Sequence, residues 1–228
     1  MKRLKELTLY DQSIQKLEFY LYHIELLKQK QAINLNDQIM INLLLNVFKS
    51  SMEYSIKYLR NYNKINKKIN SYIPNKNDFK NDEKFYNVLE QRFGVRDEKG
   101  RTIFDNLFST NLYNEFNKMQ NNEKHSSINI HRKNIIENSG SGVYGNNIVI
   151  NNNAIIRNED SDSKGIVIDD KEIDITKNEG YTYEEVLYFE YNNREVFSFL
   201  DEVYHMVNNF VLDIKEYIGN RRDERGRY

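Results

Sequence analysis

Between Val196 and Tyr217 the chain carries Val196, Leu200, Val203, Val207, Phe210, Ile214 and Tyr217, apolar residues separated by alternating steps of four and three. That spacing places all seven along one stripe of an α-helix. A stripe three heptads long cannot stay in water, so it calls for partners of comparable length. Two earlier segments qualify. Ile14, Leu17, Leu21 and Ile24 mark a helix from Asp11 or Ser13 to about Gln31. Ile41, Leu45, Phe48, Met52, Ile56 and Leu59 mark a second, capped by Asn36 or Asp37 and able to run toward Pro74, the only proline.

Between these lie shorter candidates. Phe85, Val88, Leu89 and Phe93 form a helical stripe ending at Gly94, and Phe104, Leu107, Phe108, Leu112, Phe116 and Met119 form another. Ser126 or Ser127 is placed to cap a short helix over "INIHRKNIIENSGSG", which the glycines at 140 and 142 would end. The texture then changes. "NNIVINNNAIIRN" and "KGIVIDDKEIDI" are β-branched runs separated by a turn signal, which predicts a small β excursion at about 147–175. Thr182 with Glu185 has the spacing of a capping box opening the last helix. The expected fold is therefore mainly α: an up-and-down helical bundle, one domain over 1–228, with a β-hairpin excursion before the last long helix. The other helices are as amphipathic as the last, which favours a bundle over a coiled-coil tail.

Composition narrows the function classes. The 33 basic and 34 acidic residues leave a net charge of −1, so no overall field draws in nucleic acid. No cysteine is present, which excludes disulfides, thiolate nucleophiles and cysteine-ligated zinc. The most apolar run, "IMINLLLNVF", is half the roughly 20 residues of a membrane span and contains two asparagines. With no signal-peptide pattern at the start, the expectation is a soluble cytoplasmic protein without membrane contact.

Motifs for nucleotide cradling, zinc proteolysis or serine hydrolysis are absent. "DSDSKGIVIDDKE" begins like a calcium loop at Asp160, Asp162 and Gly165, but Lys164 and Lys171 occupy positions five and twelve, where acceptors belong. It reads as a charged hairpin turn, so neither metal nor cofactor is expected. His23 and His205 border apolar stripes and read as structural histidines.

"HSSINIHRK" carries the sharpest chemical pattern. On a helix, His125, Asn129 and Arg132 would share one polar face. A guanidinium that binds phosphate oxygens, beside a histidine that moves a proton, suits RNA cleavage by internal 2′-hydroxyl attack. A solvated helix face is the plain alternative. A second basic stretch, "YSIKYLRNYNKINKK", offers Arg60, Lys64, Lys67 and Lys68 to a phosphate backbone, or to solvent at the polar end of a helix.

Long helices, a short helix with an arginine motif, a glycine turn, a small excursion and a final long helix together resemble the HEPN superfamily. These all-α proteins are frequent in bacterial toxin–antitoxin, abortive-infection and CRISPR-associated systems. The family motif is arginine, four to six residues, then histidine; active members pair two motifs in a dimer and cut RNA without metal. Arg132 matches the arginine and Lys133 the polar neighbour that often follows it. Five positions on, Glu137 stands in place of histidine, followed by Asn138 and Ser139. The resemblance implies a homodimer in a defence or toxin–antitoxin system with RNA or a protein partner. Its leading form is non-catalytic, acting through protein interaction or RNA binding, with Arg132 and Asn129 as nucleic-acid contacts. The alternative is a metal-independent endoribonuclease in which Arg132 steadies phosphate while His125, His131 or Glu137 handles protons.

Overall fold

The computed structural model describes residues 4–30, 32–125, 128–144, 148–151, 153–158, 166–168 and 171–225. The chain forms two compact units, one of residues 1–129 with 197–228 and one of residues 130–196.

The first unit is helical. Helix α1 spans Leu9–Lys28 and α2 spans Leu35–Tyr62, each opened by a reciprocal capping box, Thr8 with Asp11 and Asn34 with Asp37. The cap of α2, Asn34, thus falls two residues before Asn36, the earlier of the two expected positions. It stops at Tyr62, well short of Pro74, where Asn63 caps it and Lys64 turns to a positive φ of 54°. Helix α3, Asp82–Phe93, ends as expected on Gly94, whose φ of 74° suits a residue without a side chain. A Cβ there would lie 2.7 Å from Cβ of Asn63. The stripe expected as one helix over Phe104–Met119 is two, α4 (Glu98–Leu107) and α5 (Leu112–His125). Ser109, Thr110 and Asn111 lie between them, and their side chains compete for local backbone groups, as Ser109 does by bonding the Asn106 carbonyl. Helix α6, Val196–Arg225, carries the long stripe.

Side-chain pairs fix the directions. Ser13 and Ser51 each donate a hydroxyl to the other's carbonyl, at 2.8 and 2.9 Å, and Tyr20 packs on Phe48 at 4.4 Å, so α1 and α2 are antiparallel. Tyr20 also stacks on Tyr204 at 5.3 Å and donates to Asp201, while Lys215 lies over Tyr10, which sets α6 antiparallel to α1. Lys49 bonds Asn117 and Gln120 bonds Asn46, so α5 runs against α2. The four long helices therefore alternate in direction, as the stripes predict, around Leu44, Leu45, Phe48, Phe116, Phe199, Leu200, Val203 and Val207, all fully buried. No helix among the described residues is long and apolar enough to cross a membrane.

The second unit is β-rich and wider than the expected 147–175. Strand β1 (His131–Asn138) is central in a three-stranded antiparallel sheet, with β4 (Ala154–Asn158) on one side and β7 (Thr182–Phe189) on the other. Strands β2 (Gly142–Tyr144) and β3 (Ile148–Ile150) form one two-stranded sheet, β5 (Ile166–Ile168) and β6 (Lys171–Ile173) another. Ile150, Ile173 and Ile175 form a small core here, with Tyr144, Ile148, Ile155 and Tyr181 packed against it.

Two expectations fail in this unit. The segment around Arg132 is a strand rather than a short helix, because "NIIEN" at 134–138 pairs in full with "AIIRN" at 154–158 and β7 closes the other edge. The β-branched isoleucines favour that pleated surface over a helix. Thr182 and Glu185 open no helix either: they lie in β7, whose Tyr183, Val186, Tyr188 and Phe189 suit a sheet.

Candidate functional site

On a strand, side chains alternate between faces, and this divides the residues that a helix would have gathered. His131, Lys133, Ile135 and Glu137 share one face of β1, whereas Arg132, Asn134, Ile136 and Asn138 share the other. Arg132 and Glu137 therefore point to opposite sides of the sheet. The single helix expected to carry His125, Asn129 and Arg132 does not form, since α5 ends at His125 and β1 begins at His131.

Each candidate has a different fate. Arg132 is exposed; its guanidinium donates to the side-chain oxygen of Asn193 at 2.6 Å and lies 5.9 Å from the ring of Tyr188, its partner across the strand pair. Asn193 reaches it from a turn with a positive φ of 55°. His131 packs on Phe189 at 5.0 Å, and burial pulls its pKa down to about 4. A neutral imidazole in that setting is a poor proton donor at pH 7. The side chain of His125, at the end of α5, lies outside the described residues, as do Asp160, Asp162, Lys164 and Gly165 of the calcium-like loop and the side chain of Lys171.

Glu137 is built into the sheet. It is buried, accepts from Arg157 Nε at 2.8 Å across β1 and β4, and accepts from the Tyr181 hydroxyl at 2.9 Å. Arg157 sits diagonally from it on β4, and Tyr181 lies just ahead of β7, within the reach that long side chains bridge. Burial, then the Glu137 bond, raises the Tyr181 pKa. A second acid-centred group follows two residues along the same face, where Glu185 accepts from Tyr183 at 2.7 Å and pairs with Lys133 at 3.4 Å. The Glu185 bond pushes the Tyr183 pKa up to about 12. Each acid is thus held by one cation and one tyrosine hydroxyl.

Asn129 is also committed. Its backbone and side-chain N–H groups both donate to the Asn42 side-chain oxygen, at 3.1 and 2.9 Å, and Asn42 donates back to its carbonyl at 3.2 Å. This buried exchange fastens the chain beyond α5 to α2. Arg60 is spent similarly. Its guanidinium, almost fully buried, donates to the carbonyls of Asn66, Ile69 and Asn70 at 2.7–3.0 Å, and desolvation lowers its pKa. It shapes the loop after α2. Lys64, Lys67 and Lys68 of that loop are exposed. His23 is half-buried as expected, against Phe19 at 4.1 Å, whereas His205 is exposed on α6.

The glycine–serine turn ends a strand instead of a helix. Ser139 is fully buried, donating to the Asn151 carbonyl and accepting from the Asn153 N–H, both at 2.9 Å. Gly140 has a φ of 61°, and a Cβ on it would meet the Glu179 carbonyl at 2.6 Å.

Asn42, Arg157, Tyr181 and Asn193 are the partners that sequence reasoning missed. The near-repeat of "NIIEN" and "AIIRN", with an acid in one and a base in the other, was the available signal for Arg157. Asn42 carried a weaker one, as a polar residue inside the most apolar run.

The chain matches no family model, no curated protein and no solved structure. Among the described residues, no group of three or more His, Asp or Glu could hold a metal ion.

Proposed function

We propose that this chain is a non-catalytic, HEPN-like helical protein of a prokaryotic or phage conflict system, acting in the cytoplasm by binding another protein. The observation that carries the non-catalytic reading is the commitment of Glu137 to Arg157 and Tyr181 on the sheet face opposite Arg132. An RNA-cleaving pair needs its phosphate-binding and proton-moving groups around one reacting atom, and this sheet separates them. The alternating α1, α2, α5 and α6 support the HEPN-like layout; the arginine segment, on a strand, lends no support to endoribonuclease chemistry.

RNA binding without cleavage is the second reading. Exposed Arg132 beside the Tyr188 ring favours it, since a guanidinium and an aromatic face are the groups that hold phosphate and base. Total RNA incubated in EDTA with wild type and with Arg132→Ala separates these readings, scored for fragments and for retained RNA. The protein-binding reading expects intact RNA and the same weak retention by both proteins. Fragments made by wild type alone would establish a ribonuclease, and retention lost only in the variant would establish the RNA contact.

A further inference from the structure

Within the helical unit, a cavity of about 190 Å³ opens between α2 and the chain at 71–73. Pockets for drug-sized ligands run to roughly 300–1,000 Å³, so this one suits a smaller molecule. Met52 and Ile56 of α2 line it together with Ile73, which gives it an apolar side.

Its charged side follows from the sequence. Lys49, Glu53 and Lys57 stand four residues apart on α2, about 6 Å per step along the axis, and all three line the cavity. A glutamate four residues before a lysine ordinarily closes into an ion pair on the helix surface. Here the lysines are drawn elsewhere. Lys49 donates to the Asn117 side chain at 2.6 Å and lies over the Tyr113 ring, while Lys57 lies 5.1 Å from the centre of the Tyr54 ring. Among the described residues, Glu53 has no ion-pair partner, and the Ser71 hydroxyl on the opposite wall has no hydrogen bond.

That opposite wall is held in advance. Arg60 bonds the carbonyls of Asn66, Ile69 and Asn70 just ahead of it. The Tyr72 N–H donates to the Asn70 side chain at 2.8 Å, and its carbonyl accepts from Arg92 of α3 at 3.0 Å. A wall fixed before a ligand arrives spares the complex the cost of ordering it.

We propose that this cavity binds a free α-amino acid with an aliphatic side chain such as that of leucine. Glu53 accepts from the ammonium of the ligand, Lys57 and the Ser71 hydroxyl donate to its carboxylate, and its side chain rests on Met52, Ile56 and Ile73. Charge selects this class. A simple cation would face Lys57 and a simple anion would face Glu53, whereas a zwitterion satisfies both with charge-assisted hydrogen bonds. It bridges two side chains that the helix leaves apart. A residue inside a peptide carries neither end charge, so the free molecule is the occupant. The site is independent of the protein-binding function.

Isothermal titration calorimetry on the full chain tests this with three probes. These are L-leucine, isocaproate, which lacks the ammonium, and isoamylamine, which lacks the carboxylate. Leucine is expected to bind at millimolar concentration or below, and each analogue at least about tenfold more weakly. Glu53→Gln and Lys57→Gln should each weaken leucine by about tenfold or more, whereas Lys64→Gln, outside the cavity, should bind it as wild type does. Circular dichroism confirms folding, and if one cavity variant fails to fold the other decides. No binding of leucine, or an analogue that binds as tightly as leucine, overturns the proposal. So does a folded Glu53→Gln or Lys57→Gln that binds like wild type, or an equal loss in Lys64→Gln.

Discussion

Glu137 and Arg157 meet at 2.8 Å across the β1–β4 pair, with both side chains largely withdrawn from water. An ion pair so placed is costly to break on one side, because the remaining charge is left without its partner. Glu137→Leu or Arg157→Leu alone should destabilise the β-rich unit by about 3–5 kcal/mol, whereas the double change to leucine should be near neutral. Hydrogen exchange of the β1 amides reads this unit directly. A loss in the double variant equal to the sum of the two single losses would show that the pair is not coupled.

His131 gives the same unit a pH dependence. Its folded pKa of about 4 lies below the roughly 6.5 of an unfolded histidine, so folding favours the neutral ring. Above pH 6.5 neither state is protonated and this contribution is complete. As pH falls from about 6.5 to 4, the unfolded chain binds a proton that the folded chain refuses, and stability declines. His131→Phe should flatten that part of the stability curve in urea titrations. An unchanged slope would mean that other groups set it.

The Ser13–Ser51 exchange ties α1 to α2 with two hydroxyls donated in opposite directions. Ser13→Ala and Ser51→Ala should each cost about 1 kcal/mol, with the double variant revealing how far the two bonds depend on one another. Thermal denaturation followed by helical signal measures it.

Gly94→Ala confronts both the positive φ at the end of α3 and the Asn63 side chain. A loss of at least about 1 kcal/mol is expected. Pairing it with Asn63→Gly, which removes the Cβ 2.7 Å away, should recover part but not all of that loss, because the positive φ remains.

Arg60→Ala removes three donors from the loop after α2. The carbonyls of Asn66, Ile69 and Asn70 then turn to water, and limited proteolysis should cut within 64–72 several-fold faster than in wild type. Arg60→Lys should rescue little, since an ammonium cannot reproduce the planar fork.

The helical half was largely legible in the sequence because its evidence is periodic and redundant. Seven apolar residues in α6 agree with one another, and Gly94 marks its helix end by chemistry alone. The segment around Arg132 carried a helix-compatible spacing and a strand-compatible composition at once. What decided it was pairing with residues 16 to 58 positions away, which no local window contains. The site suffered for the same reason. Arg60 and Asn129 look like surface contacts until their acceptors are seen, and those acceptors are backbone carbonyls and an asparagine on another helix. A polar side chain in a sequence says that it will bond, but not with what.

The pairing of β1 with β7 has a consequence for the chain's history. Register runs from Asn138 with Thr182 to His131 with Phe189, and the Glu190 N–H still donates to the Ile130 carbonyl at 3.1 Å. The two ends of the β-rich segment are thus zipped together at its neck. Whatever lies beyond that zip can lengthen, shorten or be exchanged while the ends stay side by side, since the closure entropy rises only with the logarithm of loop length. To the polypeptide it behaves like a cartridge on a fixed clip, a place where new sequence can be tried without retuning the helices that flank it.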